Sequence, residues 1–110
     1  MSGTRPAGSS SAGGPSAVRT VDTEVDRLGR RWQQLPLDRA LTAYPGVRGV
    51  VQELADAVAD RTGQRRATVP DLGPGVVVDQ LRVMVYDWRQ ADLPEADLAG
   101  RLTILRRGLP

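Results

Sequence analysis

The stretch that decides the fold is VVVDQLRVMVYDW, residues 76–88. Read as a helix at 100° per residue, it places six apolar side chains on one broad stripe, namely Val77, Val78, Leu81, Met84, Val85 and Trp88. Val76, Val83 and Tyr86 fall on the opposite side, beside Asp79. A helix that is apolar on two sides requires neighbours on two sides, so the stretch predicts a central helix. Its β-branched residues leave a buried strand as the alternative, although the helical spacing and the interrupting charges favour the helix.

The segments before and after this stretch show simpler patterns with one apolar face each. They predict a helix over residues 20–35, a short helix over 36–43, a third over 47–61 and a last over 93–107. A break between the second and third helices is expected at Pro45, because proline removes a backbone donor and restricts the residue before it. We therefore expect an all-α fold, a small bundle of four to five helices around the central helix.

Local signals mark the ends of these helices. Gly63 is placed to end the third helix in a left-handed conformation. Asp92 and Glu95 have the spacing of a capping box before the last helix. Trp32 and Trp88 each end an apolar stripe, which is typical of core anchors and, less often, of interface hot spots.

Residues 1–19 are dominated by Gly, Ser, Pro and Ala. Such a composition cannot bury enough apolar surface to offset the entropy that ordering would cost. We expect a disordered N-terminal tail followed by a single helical domain over residues 20–110. An organelle transit peptide is the other interpretation, which the absence of an amphipathic helix in the tail disfavours.

The chain contains no Cys and no His. It therefore has no thiolate nucleophile, lacks the usual ligands of a zinc or copper site, and lacks the side chain most used for proton transfer near neutral pH. Asp79 and Asp87 are separated by about 12 Å along the predicted central helix, which is too far to flank one scissile bond. We expect a protein that is not an enzyme and that holds no cofactor and no metal.

All 15 basic residues are Arg, and the formal net charge is only +2. The lack of Lys is typical of a GC-rich genome, and the pI of 9.9 follows from a small excess of groups that stay protonated at high pH. The sequence has neither an apolar run long enough to span a membrane nor the apolar region of a secretory signal. We expect a cytoplasmic protein that does not bind membranes.

The side of the central helix that carries Val76, Asp79, Val83 and Tyr86 is the candidate partner-binding surface. One apolar stripe is sufficient to pack a helix on a small bundle, so the second apolar set is surplus unless another surface covers it. The covering surface would belong to another protein, to a second copy of the chain in a homodimer, or to the first or last helix of the same chain. In the latter case Asp79, Arg82 and Tyr86 would form an interior polar network. The leading interpretation is a non-catalytic protein–protein interaction or regulatory module.

Pairs of adjacent arginines support an alternative function. The pairs are Arg30 with Arg31, Arg65 with Arg66, and Arg106 with Arg107. Arg65 and Arg66, in a predicted loop, are the best candidates to contact nucleic acid, because the other two pairs lie at helix C-termini where the helix dipole alone favours them. The alternative is a nucleic-acid-associated accessory protein whose binding is weak and electrostatic.

Four segments carry a resemblance to known proteins. They are WQQLPL at 32–37, VPDLGP at 69–74, DQL at 79–81 and VYD at 85–87. These segments resemble short uncharacterised helical proteins of GC-rich actinobacteria, and the resemblance covers most of the region expected to fold. It brings no activity and no functional residue, and it implies a bacterial cytoplasmic origin.

Overall fold

The computed structural model describes residues 14–110, which form four α-helices and no strand. The helices are α1 (Gly14–Gln34), α2 (Leu37–Thr62), α3 (Val77–Gln90) and α4 (Glu95–Arg107). The predicted all-α class is confirmed, and four helices fit the expected four to five. Because α3 coincides with the stretch VVVDQLRVMVYDW, the buried-strand alternative for that stretch is wrong.

α1 begins earlier than its sequence pattern predicts, at Gly14 instead of near residue 20. Pro15 fits the first turn of a helix, where the amide donor that proline lacks has no helical partner in any case. Ala17 then extends the buried stripe one turn before Val21, and the two side chains are 9% and 0% exposed. Residues 14–19 therefore belong to the helix and not to the predicted tail. The rest of that tail, residues 1–13, lies outside the described residues.

The predicted second and third helices are one helix, α2, and Pro45 lies inside it. Proline leaves the carbonyl of Leu41 without its helical partner. Leu41, Pro45 and Gly46 are all exposed, so water can bond that carbonyl at little cost. The break expected at Pro45 is wrong because the lost hydrogen bond falls on the solvent side of the helix.

The four helices share one core. α1 packs chiefly against α4 and α2 chiefly against α3, with smaller contacts between α1 and α3 and between α2 and α4. The buried side chains come from every helix: Val21, Val25, Leu28, Val47, Val51, Leu54, Val77, Leu81, Val85, Trp88, Leu98, Ala99 and Leu102. α3 is thus one of four helices around this core, and the expectation that it is central is wrong. Only one of its two apolar sides faces the core.

The two predicted helix caps differ in outcome. Gly63 ends α2 with a φ of 71°, the left-handed conformation expected for it. Before α4, Pro94 occupies the capping position and no side chain bonds the free amides. Glu95 is buried and accepts a hydrogen bond from Arg89 Nε at 2.8 Å. The predicted capping box is wrong because this ion pair with α3 takes the Glu95 carboxylate.

Both tryptophans hold loops against helices. Trp88 is 3% exposed and donates its indole N–H to the Pro94 carbonyl at 3.0 Å, which fixes the turn between α3 and α4. Trp32 is half-buried at the end of α1 and donates to the Pro74 carbonyl at 2.8 Å, just before α3. The core-anchor interpretation of the two residues is therefore confirmed, most fully for Trp88.

Candidate interaction surface on the third helix

The side of α3 that points away from the core is apolar over much of its length. Val76, Val83 and Tyr86 are 38%, 54% and 63% exposed, and the Asp79 side chain beside them is 75% exposed. The structure thus brings the four predicted partner-binding residues together on one solvent-facing surface. No other described element covers them, so the predicted covering by the first or last helix is not observed. Whether this surface binds a partner stays a prediction.

This surface has a regular spacing. We name five residues the α3 outer face, and they follow one another by three, four, three and four residues: Val76, which immediately precedes α3, then Asp79, Val83, Tyr86 and Gln90. Alternation of three and four is the seam along which two helices pack with knobs in holes. The opposite side of α3 packs in the core, where its buried residues are Val77, Leu81, Val85 and Trp88. The outer face is therefore a second seam that no helix of residues 14–110 covers.

An ion pair borders the outer face. Arg82 Nη1 lies 3.5 Å from Asp79 Oδ1, and both side chains are exposed. The same guanidinium lies across α1 at Gly29, where a Cβ atom would come within 2.8 Å of Arg82 Nη2. Gly29 thus provides the space in which Arg82 reaches α1. The interior network of Asp79, Arg82 and Tyr86 is not observed, because the pair is at the surface and Tyr86 is exposed.

The loop before α3 is held against α2 by side chains that the sequence analysis missed. Gln52 accepts a hydrogen bond from the Val69 amide at 2.8 Å and donates to the Ala67 carbonyl at 2.9 Å. Arg48 donates to the Val69 carbonyl at 2.6 Å. Tyr44 lies one turn earlier on the same side of α2, and this spacing of four residues opposite a long loop is the signal that could have revealed the set.

Tyr44 completes the attachment of the loop. Its hydroxyl donates to the Asp71 carboxylate and accepts from the Gly73 amide at 3.1 Å. The hydrogen bond to Asp71 raises the pKa of Tyr44, and the same bond lowers the pKa of Asp71. Gln80 on α3 donates to the Pro70 carbonyl at 2.9 Å. These bonds position the start of α3, and with it Val76.

The structure does not bring Arg65 and Arg66 together as one phosphate-binding site. Arg66 folds back on α2 and binds both oxygens of Asp60, through Nε at 3.0 Å and Nη2 at 2.7 Å. This hydrogen bonding lowers the pKa of Asp60 and raises that of Arg66. Arg65 is exposed and forms no ion pair with a described residue. Each of the other two pairs also has one bound member, since Arg31 donates to the Pro110 carbonyl and Arg106 to Glu24.

A second apolar surface lies between α2 and α4 and was not predicted. It is an open groove of about 500 Å³ whose lining includes Thr42, Gly46, Val50, Ile104, Leu105 and Leu109. Ile104 is 75% exposed because it falls off the buried stripe of α4. An ion pair of 3.1 Å between Arg101 and Glu53 lies at the wall of the groove.

Within residues 14–110, no group of three or more Asp, Glu, His or Cys side chains is arranged to hold a metal ion. No helix among the described residues is both long and apolar enough to cross a membrane. The chain matches no protein-family model, no curated protein and no solved structure. The resemblance to actinobacterial proteins therefore stays a prediction.

Proposed function

We propose that this protein is a non-catalytic interaction module whose α3 outer face pairs with the same face of a second copy. The observation that carries the proposal is the exposure of Val76, Val83 and Tyr86 along a seam of three- and four-residue spacing, on a helix whose other side is buried. Exposed apolar patches of this kind on soluble proteins are typical of interaction sites. A seam with this spacing selects a helix as its partner.

The outer face is self-complementary when two copies of α3 run antiparallel. In this alignment Val83 of each copy lies against Tyr86 of the other copy, which makes two apolar layers of facing residues. The same alignment places Asp79 of one copy against Gln90 of the other, where the amide can donate to the carboxylate. Two apolar layers are thus flanked by two polar layers in a closed two-fold interface. The parallel alignment would place Asp79 against Asp79, and facing like charges are costly.

The size of the seam sets the expected strength of pairing. α3 has 14 residues and is therefore about 21 Å long. One pair of helices of this length buries less surface than a standard stable interface of about 1,600 Å², so we expect a dissociation constant of roughly micromolar order. Such a dimer would respond to the concentration of the protein, which suits a regulatory module.

The proposal is tested by sedimentation velocity over a range of protein concentrations. The wild-type protein should shift from monomer to dimer as its concentration rises. Val83→Asp should stay monomeric and keep its helical circular dichroism, because the new carboxylate enters a solvent-exposed position. Ile104→Asp is the matched control, since Ile104 is also exposed but lies outside α3, and this variant should dimerise like the wild type.

Three results would contradict the proposal. A wild-type protein that is monomeric up to about a hundred times the expected micromolar dissociation constant would exclude self-pairing. A Val83→Asp variant that still dimerises would place the interface elsewhere. Loss of dimer in Ile104→Asp alone would assign it to the groove between α2 and α4.

The alternative function, a nucleic-acid-associated accessory protein that uses Arg65 and Arg66, has weaker support at those residues. Asp60 neutralises Arg66 through two hydrogen bonds, so that Arg65 is the member of the pair without an ion pair to a residue in 14–110. A phosphate would have to compete with this carboxylate for the Arg66 guanidinium.

A further inference from the structure

A polar groove of about 500 Å³ runs between α1 and α4, on elements other than α3 and the loop that carries Arg65. Four arginines line it: Arg19 and Arg27 from α1, and Arg106 and Arg107 from α4. The remaining lining includes hydroxyl groups, among them those of Thr23 and Thr103. Guanidinium and hydroxyl groups are the donors that most often contact phosphate oxygens.

The groove keeps most of its positive charge. Its one described carboxylate, Glu24, is 4% exposed and is bound by Arg106 through Nε and, at 3.3 Å, through Nη2. Arg19, Arg27 and Arg107 are exposed and form no ion pair with a described residue. Three arginines therefore face one groove without a salt bridge to a described residue, and Glu24 interacts with Arg27 only at longer range. An anion that entered would meet several charged donors in one groove and would release bound counterions.

The shape of this positive charge fits an extended anion. Arg19 and Arg27 are separated by two turns on one side of α1, about 12 Å along the axis. Arg30, which is also exposed, continues the same side for another 4 to 5 Å or so. A single phosphate cannot contact both ends of this line, whereas a duplex presents one charge for about every 1.7 Å of its axis.

None of the described residues that line the groove is aromatic. The groove therefore offers no surface on which an unpaired base could stack, a feature that sites for single strands usually have. Its donors suit phosphates, which carry no sequence information. We infer that the α1/α4 groove binds the phosphodiester backbone of duplex nucleic acid without sequence preference.

The test is a titration of a fluorescently labelled DNA duplex, followed by anisotropy at several salt concentrations. Three phosphate contacts should lower the association constant about 40-fold between about 50 and 200 mM salt. Arg19→Ala with Arg27→Ala should weaken binding and reduce the log–log salt slope by about two. Arg39→Ala with Arg61→Ala is the control of equal charge, since both side chains are exposed outside the groove, and this variant should keep the wild-type slope. Circular dichroism should show the same helicity in both variants.

Other outcomes would overturn the inference. Equal weakening by both double variants would mean that binding follows net charge and not the groove. No binding of duplex at about 50 mM salt would exclude the site. Competition by inorganic tripolyphosphate at a lower phosphate concentration than unlabelled duplex would identify a small polyphosphate as the ligand. Stronger binding of an unstructured single strand than of the duplex would also contradict it.

Discussion

Glu24 is one of two buried carboxylates among the described residues, and it joins α1 to α4 through Arg106. Burial raises the pKa of Glu24, but hydrogen bonds from Arg106 and Thr103 and the nearby positive charges outweigh it, so that the pKa lies below its ordinary value of 4.5. A carboxyl group whose pKa is lower in the folded than in the unfolded state stabilises the fold above the unfolded pKa. This stabilisation is lost as the pH falls through the folded pKa.

We therefore expect Glu24→Gln to lower the free energy of unfolding by about 2 kcal/mol at pH 7, since it replaces a charged partner of Arg106 with a neutral one. The difference from the wild type should shrink as the pH falls from 4.5 toward the lower folded pKa, because the wild-type carboxyl group becomes protonated over that range. Urea unfolding at pH 7 and at about pH 3 measures both values. Glu53→Gln is the control, because the pair of Glu53 with Arg101 is exposed and should contribute less than about 1 kcal/mol. A difference that grows in acid would contradict the assignment.

Single polar residues are also where prediction from the sequence was weakest. The outward positions of Val83 and Tyr86 follow from helical spacing alone, because spacing sets the angle at which each side chain leaves the helix. Helical spacing places Gln52 on one side of α2, but it does not identify the groups that Gln52 binds. Its amide bonds Ala67 and Val69, whose backbone groups reach it only after the loop has folded on α2. The hydrogen bond of Arg66 to Asp60 could likewise not be predicted, since it depends on the path of the same loop.

At the scale of the helices, apolar spacing predicted which faces are buried more reliably than it predicted where helices start and stop. The stripe of Val47, Val51 and Leu54 is buried as its spacing indicates. Boundaries depend on individual backbone groups, and rules for proline assume that a lost hydrogen bond is not replaced. Pro45 breaks the rule because its side of α2 faces solvent.

This explanation of Pro45 predicts the effect of its replacement. Pro45→Ala should raise the free energy of unfolding by about 1 to 3 kcal/mol, because alanine restores the missing amide donor and is the better helix former by about 3 kcal/mol. The gain is reduced because alanine also gives the unfolded chain more freedom. Urea unfolding measures the change, with Gly46→Ala at the neighbouring exposed position as a reference for helix propensity. A loss of stability would mean that the bend which proline imposes is needed for packing against the core.

At the scale of the whole molecule, two apolar surfaces allow two kinds of assembly. If the α3 outer face pairs with itself, the assembly closes as a dimer with two-fold symmetry. If the outer face of one copy instead entered the groove between α2 and α4 of the next, the contact would be heterologous and an open chain could grow. The layers of Val83 with Tyr86 and of Asp79 with Gln90 favour the closed dimer, because the same four residues satisfy both copies.

The antiparallel register can be tested by cross-linking, since the chain has no cysteine of its own. An equimolar mixture of Asp79→Cys and Gln90→Cys proteins should form a disulfide-linked dimer under mild oxidation. The proposed register places these two positions opposite each other, within the short Cβ separation that a disulfide requires. Each variant alone should cross-link poorly, since its two cysteines would lie near opposite ends of the seam. A mixture of Asp79→Cys with Ile104→Cys, which is 75% exposed, measures the yield from random collisions. Efficient cross-linking of either variant alone would indicate parallel helices. The open chain, in which the outer face enters the groove that Ile104 lines, would give a different result: Asp79→Cys with Ile104→Cys would cross-link in higher yield than Asp79→Cys with Gln90→Cys.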